Sequence, residues 1–214
     1  MYFLVAKATS VRSISNVNKT EMSSCICLGP KRAGKTHLLK ALQDPDSIDE
    51  TTFSMPTIGT GIYRIHFPTK SPNGDKNRPP PADTQVNIPH GGKNLPKSIQ
   101  ILEIGGSMAP LWRQYFEDVK KLIYVVDTSN LCQISAAGVL FYSILTEPRL
   151  QNNTKILLVL AKMDYSYRQM RNEALLMLQM SKLQKQIRQQ VTIVEASAVT
   201  KVGLDTIYDW LQRP

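Results

Sequence analysis

Apolar positions along this chain fall into two rhythms. Short apolar runs, the length of buried strands, occur at 23–28, 121–127, 155–161 and 191–195. Residues 61–67 and 98–104 also read as strands, the first by its alternation. Between them lie stretches with apolar residues three and four apart. Residues 37–42 form one such helix. Ile134, Ala137, Gly138, Phe141, Ile144 and Leu145 share the face of a second, stopped by Pro148. Met170, Ala174, Met177 and Leu178 stripe a third and are expected in the core. Leu204, Ile207, Tyr208 and Leu211 mark a closing helix after Gly203. Strands alternating with helices predict an α/β domain with a doubly wound, mainly parallel sheet of six strands, its ligands at the strand C-terminal ends.

Two segments break the pattern. Residues 68–97 hold seven prolines and a Gly-Gly pair but few aliphatics. Such a segment cannot bury a core and is expected to be a disordered insertion, enlarging the tip of a hairpin between the strands at 61–67 and 98–104. Residues 1–22 begin with an apolar hexapeptide and continue rich in hydroxyls, with no acid before Glu21. They weakly resemble a mitochondrial targeting segment, yet the expectation is a flexible extension ahead of a domain at 23–214. Tyr2 excludes N-myristoylation on this start, and Met22 is an alternative start.

Composition narrows the class. With 214 residues, 42% hydrophobic and 20% charged, the chain suits one globular domain. No apolar run is long enough to span a bilayer, so a cytoplasmic location, with at most peripheral membrane contact, is expected. Three cysteines make no disulfide framework; they read as buried small hydrophobes in a reducing compartment rather than metal ligands. The net charge of +9 is spread along the chain without aromatic interleaving, which favours a solvated basic surface over nucleic-acid binding.

The chemistry is carried by residues 29–36, GPKRAGKT, which fit the phosphate-binding template G-x-x-x-x-G-K-[ST] between a strand and a helix. A loop closing onto a helix N-terminus gathers backbone N–H groups into one concavity, where the helix dipole adds positive charge. Gly29 and Gly34 permit the unusual backbone and close phosphate approach. Lys35 supplies a charge for the outer phosphates and the Thr36 hydroxyl a ligand for Mg²⁺. A chance match in an ordinary βα turn is the alternative. Lys31, Arg32, Ala33 and His37 complete the candidate nucleotide contacts.

Other segments fall after strands, where the same ligand would lie. Thr57 could complete a Mg²⁺ shell, although Pro56-Thr57 alone is only a turn. Glu103 can hold a metal-bound water, and a glycine N–H at Gly105-Gly106 can meet the last phosphate. Asp164, after Lys162, could accept two N–H bonds from guanine and finds no matching pair on adenine. Ser197-Ala198 could offer a backbone N–H to the guanine carbonyl.

With these segments in order, the chain resembles the Ras superfamily, and more closely the ADP-ribosylation-factor-like small GTPases, which are P-loop NTPases. The phosphate loop, Pro56-Thr57-Ile58-Gly59, Glu103-Ile104-Gly105-Gly106 and the run from Pro110 to Phe116 carry the resemblance. It implies GTP and GDP as ligands with Mg²⁺, held by Thr36, Thr57 and, through water, Glu103. Gly106 would meet the γ-phosphate, the Lys162 stem would cover the base, and Asp164, Ser197 and Ala198 would read it. The loop around Thr57 and residues 105–116 would be two switches, presenting a surface to effector proteins and acted on by a GAP and an exchange factor. A monomer with a role in membrane or ciliary traffic is the associated expectation.

Departures from that pattern matter. Glu103 stands where relatives have Asp, Ser107 where they carry the Gln that orients the attacking water, and Ala161 where N-K-x-D has Asn. Lys31 stands where many relatives have Asp, and the segment between Gly106 and Pro110 is two residues short. The expectation is a molecular switch with slow intrinsic hydrolysis, Ser107 being a poor catalytic substitute. The rivals are a pseudo-GTPase that binds nucleotide without cycling, another P-loop enzyme such as a small-molecule kinase, and a nucleic-acid binder.

Overall fold

A computed structural model describes residues 24–67, 97–165 and 168–213. The expected extension at 1–22 therefore lies outside the described residues, as does the insertion at 68–97 apart from Lys97. Six strands and five helices follow in chain order: β1 (Cys25–Leu28), α1 (Lys35–Gln43), β2 (Thr60–His66), β3 (Ser98–Ile104), β4 (Lys121–Asp127), α2 (Leu131–Leu145), β5 (Lys155–Ala161), α3 (Arg168–Met177), α4 (Met180–Gln186), β6 (Val191–Glu195) and α5 (Leu204–Gln212). The sheet order is β2-β3-β1-β4-β5-β6. Every pair is parallel except β2–β3, the expected hairpin, in register from Thr60 opposite Ile104 to His66 opposite Ser98.

Of the strands that read as continuous apolar runs, β1, β4 and β5 are central, with both faces covered, while β6 forms an edge. Cys25 and Cys27 point to one face with Ile123, Val125, Leu157 and Val159, under Leu38, Leu39 and Leu42 of α1 and Ile207 and Leu211 of α5. Ile26 and Leu28 point to the other with Tyr124, Val126 and Leu158, under Ile134, Phe141 and Ile144 of α2. On that side Tyr124 stacks on Phe141 at 4.7 Å and meets Trp112 edge-on at 6.4 Å. Such ring pairs add about 0.5–1.5 kcal/mol each beyond area burial.

Two expectations are corrected. The Met stripe is only half core: Ala174 and Leu178 are buried, but Met177 is 36% exposed. The helix breaks there because Gln179 turns left-handed (φ 50°) before α4 begins. Cys132 is exposed near the start of α2, unlike the two cysteines of β1. Among the described residues no helix is long and apolar enough to cross a membrane.

Candidate functional site

β1 lies between β3 and β4, which lead away to opposite edges of the sheet, and the chain leaves it at the C-terminal ends of the strands. Ligands of doubly wound sheets bind in the crevice at such a point. Residues 29–34 turn there. Gly29 has φ 151°, and a Cβ on it would sit 2.3 Å from the Val125 carbonyl oxygen, so only glycine lets the loop pass β4. Gly34 caps α1 without a side-chain hydrogen bond, leaving the first N–H groups of the helix free of a side-chain cap. Lys35 is buried, and its ammonium donates to the carbonyls of Gly29 and Pro30, both at 2.9 Å. Burial lowers its pKa below the ordinary lysine value, against the opposing pull of Cys27 and Glu103. Lys31 and Arg32 are exposed on the outer rim and Ala33 is buried beneath it.

Three residues far apart in sequence converge beside Lys35. Thr36 donates to Glu103 Oε1 at 2.7 Å, Thr57 donates to the same oxygen at 3.1 Å, and the two hydroxyl oxygens are 3.0 Å apart. Glu103 is 1% exposed, and its Oε2 makes no hydrogen bond of ordinary geometry. A buried carboxylate is costly unless it is hydrogen-bonded and a positive charge stands near. The donors are hard oxygens, which suit Mg²⁺ rather than a softer metal. The residues present therefore fit the ion. Beside them, burial, the Glu103 charge and a hydrogen bond to the Glu103 carboxylate push the Tyr63 phenol up to about 12.

The segment from Thr52 to Gly59 is anchored at both ends. His37 Nε2 contacts the Thr52 carbonyl oxygen at 3.0 Å, so this ring faces the loop leading to Thr57. Gly105 N–H donates to the Gly59 oxygen at 2.9 Å. Gly106 backs directly onto the phosphate loop: a Cβ there would lie 2.4 Å from Lys31 N and 2.5 Å from Pro30 C. From Gly106 to Tyr115 the chain runs as a ten-residue 3₁₀ segment containing Pro110, with Ser107 exposed. That hydrogen-bonding pattern rarely persists so long and marks a segment under strain or a hinge. Trp112 fastens it, donating Nε1–H to the Gly105 oxygen at 3.2 Å.

Opposite the phosphate loop, two turns come together. Met163 N–H donates to the Ala196 oxygen at 3.3 Å, and Ser197 Oγ donates to Asp164 Oδ1 at 2.6 Å. Asp164 is exposed, Ser197 buried, and Ala198 packs against the core cluster under α5. The Lys162 stem lies 3.8 Å from where a Gly34 Cβ would stand, and Ala161 Cβ lies 4.0 Å from it. Thus the turns after β5 and β6 meet at Asp164 and Ser197, and the β5 turn reaches the phosphate loop at Gly34. The Lys162 ammonium pairs with Asp127 Oδ2 at 2.6 Å, and Asp127 Oδ1 accepts Ser129 N–H and Oγ–H. Sequence reasoning missed this pair; its only signal was an acid closing an otherwise apolar strand. It also missed Tyr63 and the anchoring role of Trp112. Two cavities, of about 490 and 370 Å³, are lined by residues of α2 and α4 and their flanks.

Comparison with known proteins agrees with this geometry. Residues 89–214 match the model of the ADP-ribosylation factor family. The chain is 28% identical over 193 residues to human ADP-ribosylation factor-like protein 16, covering 88% of this chain and 84% of that one. ADP-ribosylation factor-like protein 1 of Caenorhabditis elegans is also 28% identical, over 87% of this chain and 85% of its own. Among solved structures, the Arl6 BBS3 small GTPase of Trypanosoma brucei, with bound nucleotide analogue GppNp, superposes with a TM-score of 0.61. It has 16% identity and covers 88% of this chain and 94% of its own. The mammalian SRP receptor superposes with a TM-score of 0.60 at 15% identity, covering 88% of this chain and 97% of its own. These last two share the fold. Phosphate loop, sheet order and family match lead to one conclusion: the chain belongs to the ADP-ribosylation factor family of small GTPases.

Proposed function

We propose that this chain is a guanine-nucleotide switch that binds GDP and GTP with Mg²⁺ and hydrolyses GTP very slowly unaided. The observation that carries the reading is the meeting of Lys35, Thr36, Thr57 and Glu103 at the phosphate loop. Free N–H groups of α1 and the Lys35 ammonium hold the phosphates. Asp164, steadied by Ser197, accepts two N–H groups of guanine, and the Lys162 stem lies across the base. Thr36, Thr57 and Glu103 would hold Mg²⁺, which would supply positive charge against the outer phosphates.

Slow turnover rests on Ser107. Its hydroxyl is exposed and too short to orient a water as a Gln does, so a GAP supplies the missing group in trans. Because Thr57 and Gly106 touch the same corner, a γ-phosphate there orders both switches. The exposed Phe53, Met55, Ile58 and Ile62 then form the surface an effector reads. The protein acts as a monomer, with a role in membrane or ciliary traffic by analogy with its relatives.

A non-cycling pseudo-GTPase is the second reading. Ala161 favours it, since the residue facing Gly34 carries no polar group to brace the base. Single-turnover assays with GTP-loaded protein separate the two. Slow release of phosphate with effector binding confined to the GTP form supports the switch. Effector binding blind to the nucleotide supports the second reading, and rapid unaided turnover defeats the slow-hydrolysis claim.

A further inference from the structure

Resting on the nucleotide reading above, we infer that Glu103 binds the metal directly through Oε1, sharing one face of its octahedron with the hydroxyls of Thr36 and Thr57. This differs from a carboxylate held to the ion through water.

Geometry points there first. The three oxygens form a triangle with edges of 2.7, 3.0 and 3.1 Å. Neighbouring ligands of an octahedral Mg²⁺ at its usual bond length stand about 2.9 Å apart. Proton counting points the same way. Each threonine hydroxyl has one proton, and an ionised carboxylate has none. Two protons cannot serve three close oxygen–oxygen contacts, so one edge brings lone pairs together unprotected. A cation over the triangle satisfies all three at once.

Chain length gives the third argument. Glu103 sits on β3 between Cys27 of β1 and Gly61 of β2, so ladders on both sides fix its backbone. From that fixed point the carboxylate already touches both hydroxyls. An Asp would stop one methylene, about 1.5 Å, short and leave room for a water. Finally, the Glu103 carboxylate is buried at 1% exposure, and an ion bound at Oε1 offsets the cost of burying its charge.

The test uses the full chain loaded with Mn²⁺, in place of Mg²⁺, and a nonhydrolysable GTP analogue. Glutamate is labelled with ¹³C at the side-chain carboxyl, and electron–nuclear double resonance reads the Mn–¹³C coupling. The expected result is a coupling of directly bound size, lost in Glu103→Asp, whose Mn²⁺ gains one exchangeable water by ¹⁷O labelling. Wild-type protein that holds Mn²⁺ and nucleotide without that coupling overturns direct ligation and leaves the nucleotide reading standing. Protein that retains no guanine nucleotide overturns both.

Discussion

At the scale of single residues, the site is set by what each position lacks as much as by what it carries. Gly106 lacks a Cβ, and backbone atoms of Pro30 and Lys31 fill the place one would take. Backbone cannot move aside as a flexible side chain does. Gly106→Ala should therefore weaken GTP-analogue binding about tenfold more than GDP binding, roughly 1.4 kcal/mol, in parallel titrations. Equal loss for both ligands would place Gly106 outside the γ-phosphate contact. Ala161 lacks a polar group beside Gly34. Ala161→Asn should raise GDP affinity by about fivefold, the worth of one recovered hydrogen bond of roughly 1 kcal/mol. No gain on calorimetry would show that the base is braced some other way. The thiols divide by position. Burial, partly offset by Lys121, pushes Cys25 up to about 12, and Cys27 is also raised well above the ordinary value. A disulfide reagent at neutral pH should modify Cys132 quickly and the β1 pair only after unfolding. Three fast thiols would contradict the buried β1 strand.

Elements differ in how plainly their residues announce them. β4 and β5 carry their own signals, because strands covered on both faces are apolar nearly throughout; their bounds are visible in the chain. The β2–β3 hairpin is legible too, since alternation in β2 is what a half-covered edge strand requires. Helix α3 is misleading for a physical reason. Periodicity reports an amphipathic face but not how much of it a neighbour covers, so Met177 keeps the spacing of a core residue while standing exposed. The phosphate loop and its threonine are legible because a short local motif specifies them. The Asp127–Lys162 pair is not, as its partners lie 35 residues apart and meet only through the β4–β5 ladder. The 3₁₀ segment is likewise invisible in the pattern, being held by Trp112 rather than by propensity. Of the two tryptophans, Trp112 lies in the 106–115 segment and Trp210 on α5. Exchange of GDP for a GTP analogue should change intrinsic fluorescence in Trp210→Phe and leave Trp112→Phe silent. A signal that survives in Trp112→Phe would place the response outside the 106–115 segment.

For the whole molecule, charge and burial predict behaviour in alkali. Cys25 and Tyr63 each hold a proton more tightly in the fold than in the unfolded chain, mainly because burial disfavours the ionised form. For a raised pKa the folded state binds more protons, so the contribution to stability is complete below the unfolded value and shrinks as pH rises. Denaturant midpoints should be steady up to about pH 9, then fall steadily toward pH 12. A midpoint flat across that window would contradict the burial of the β1 face. The central claim, however, concerns the polyanion at the end of β1. Its most direct test is equilibrium binding of fluorescent GDP, GTP and ATP to the full chain, with Mg²⁺ and with a chelator. The account predicts binding of both guanine nucleotides, weakened when Mg²⁺ is removed, and no comparable binding of ATP. Folded protein that binds no guanine nucleotide, or binds ATP equally well, would contradict it.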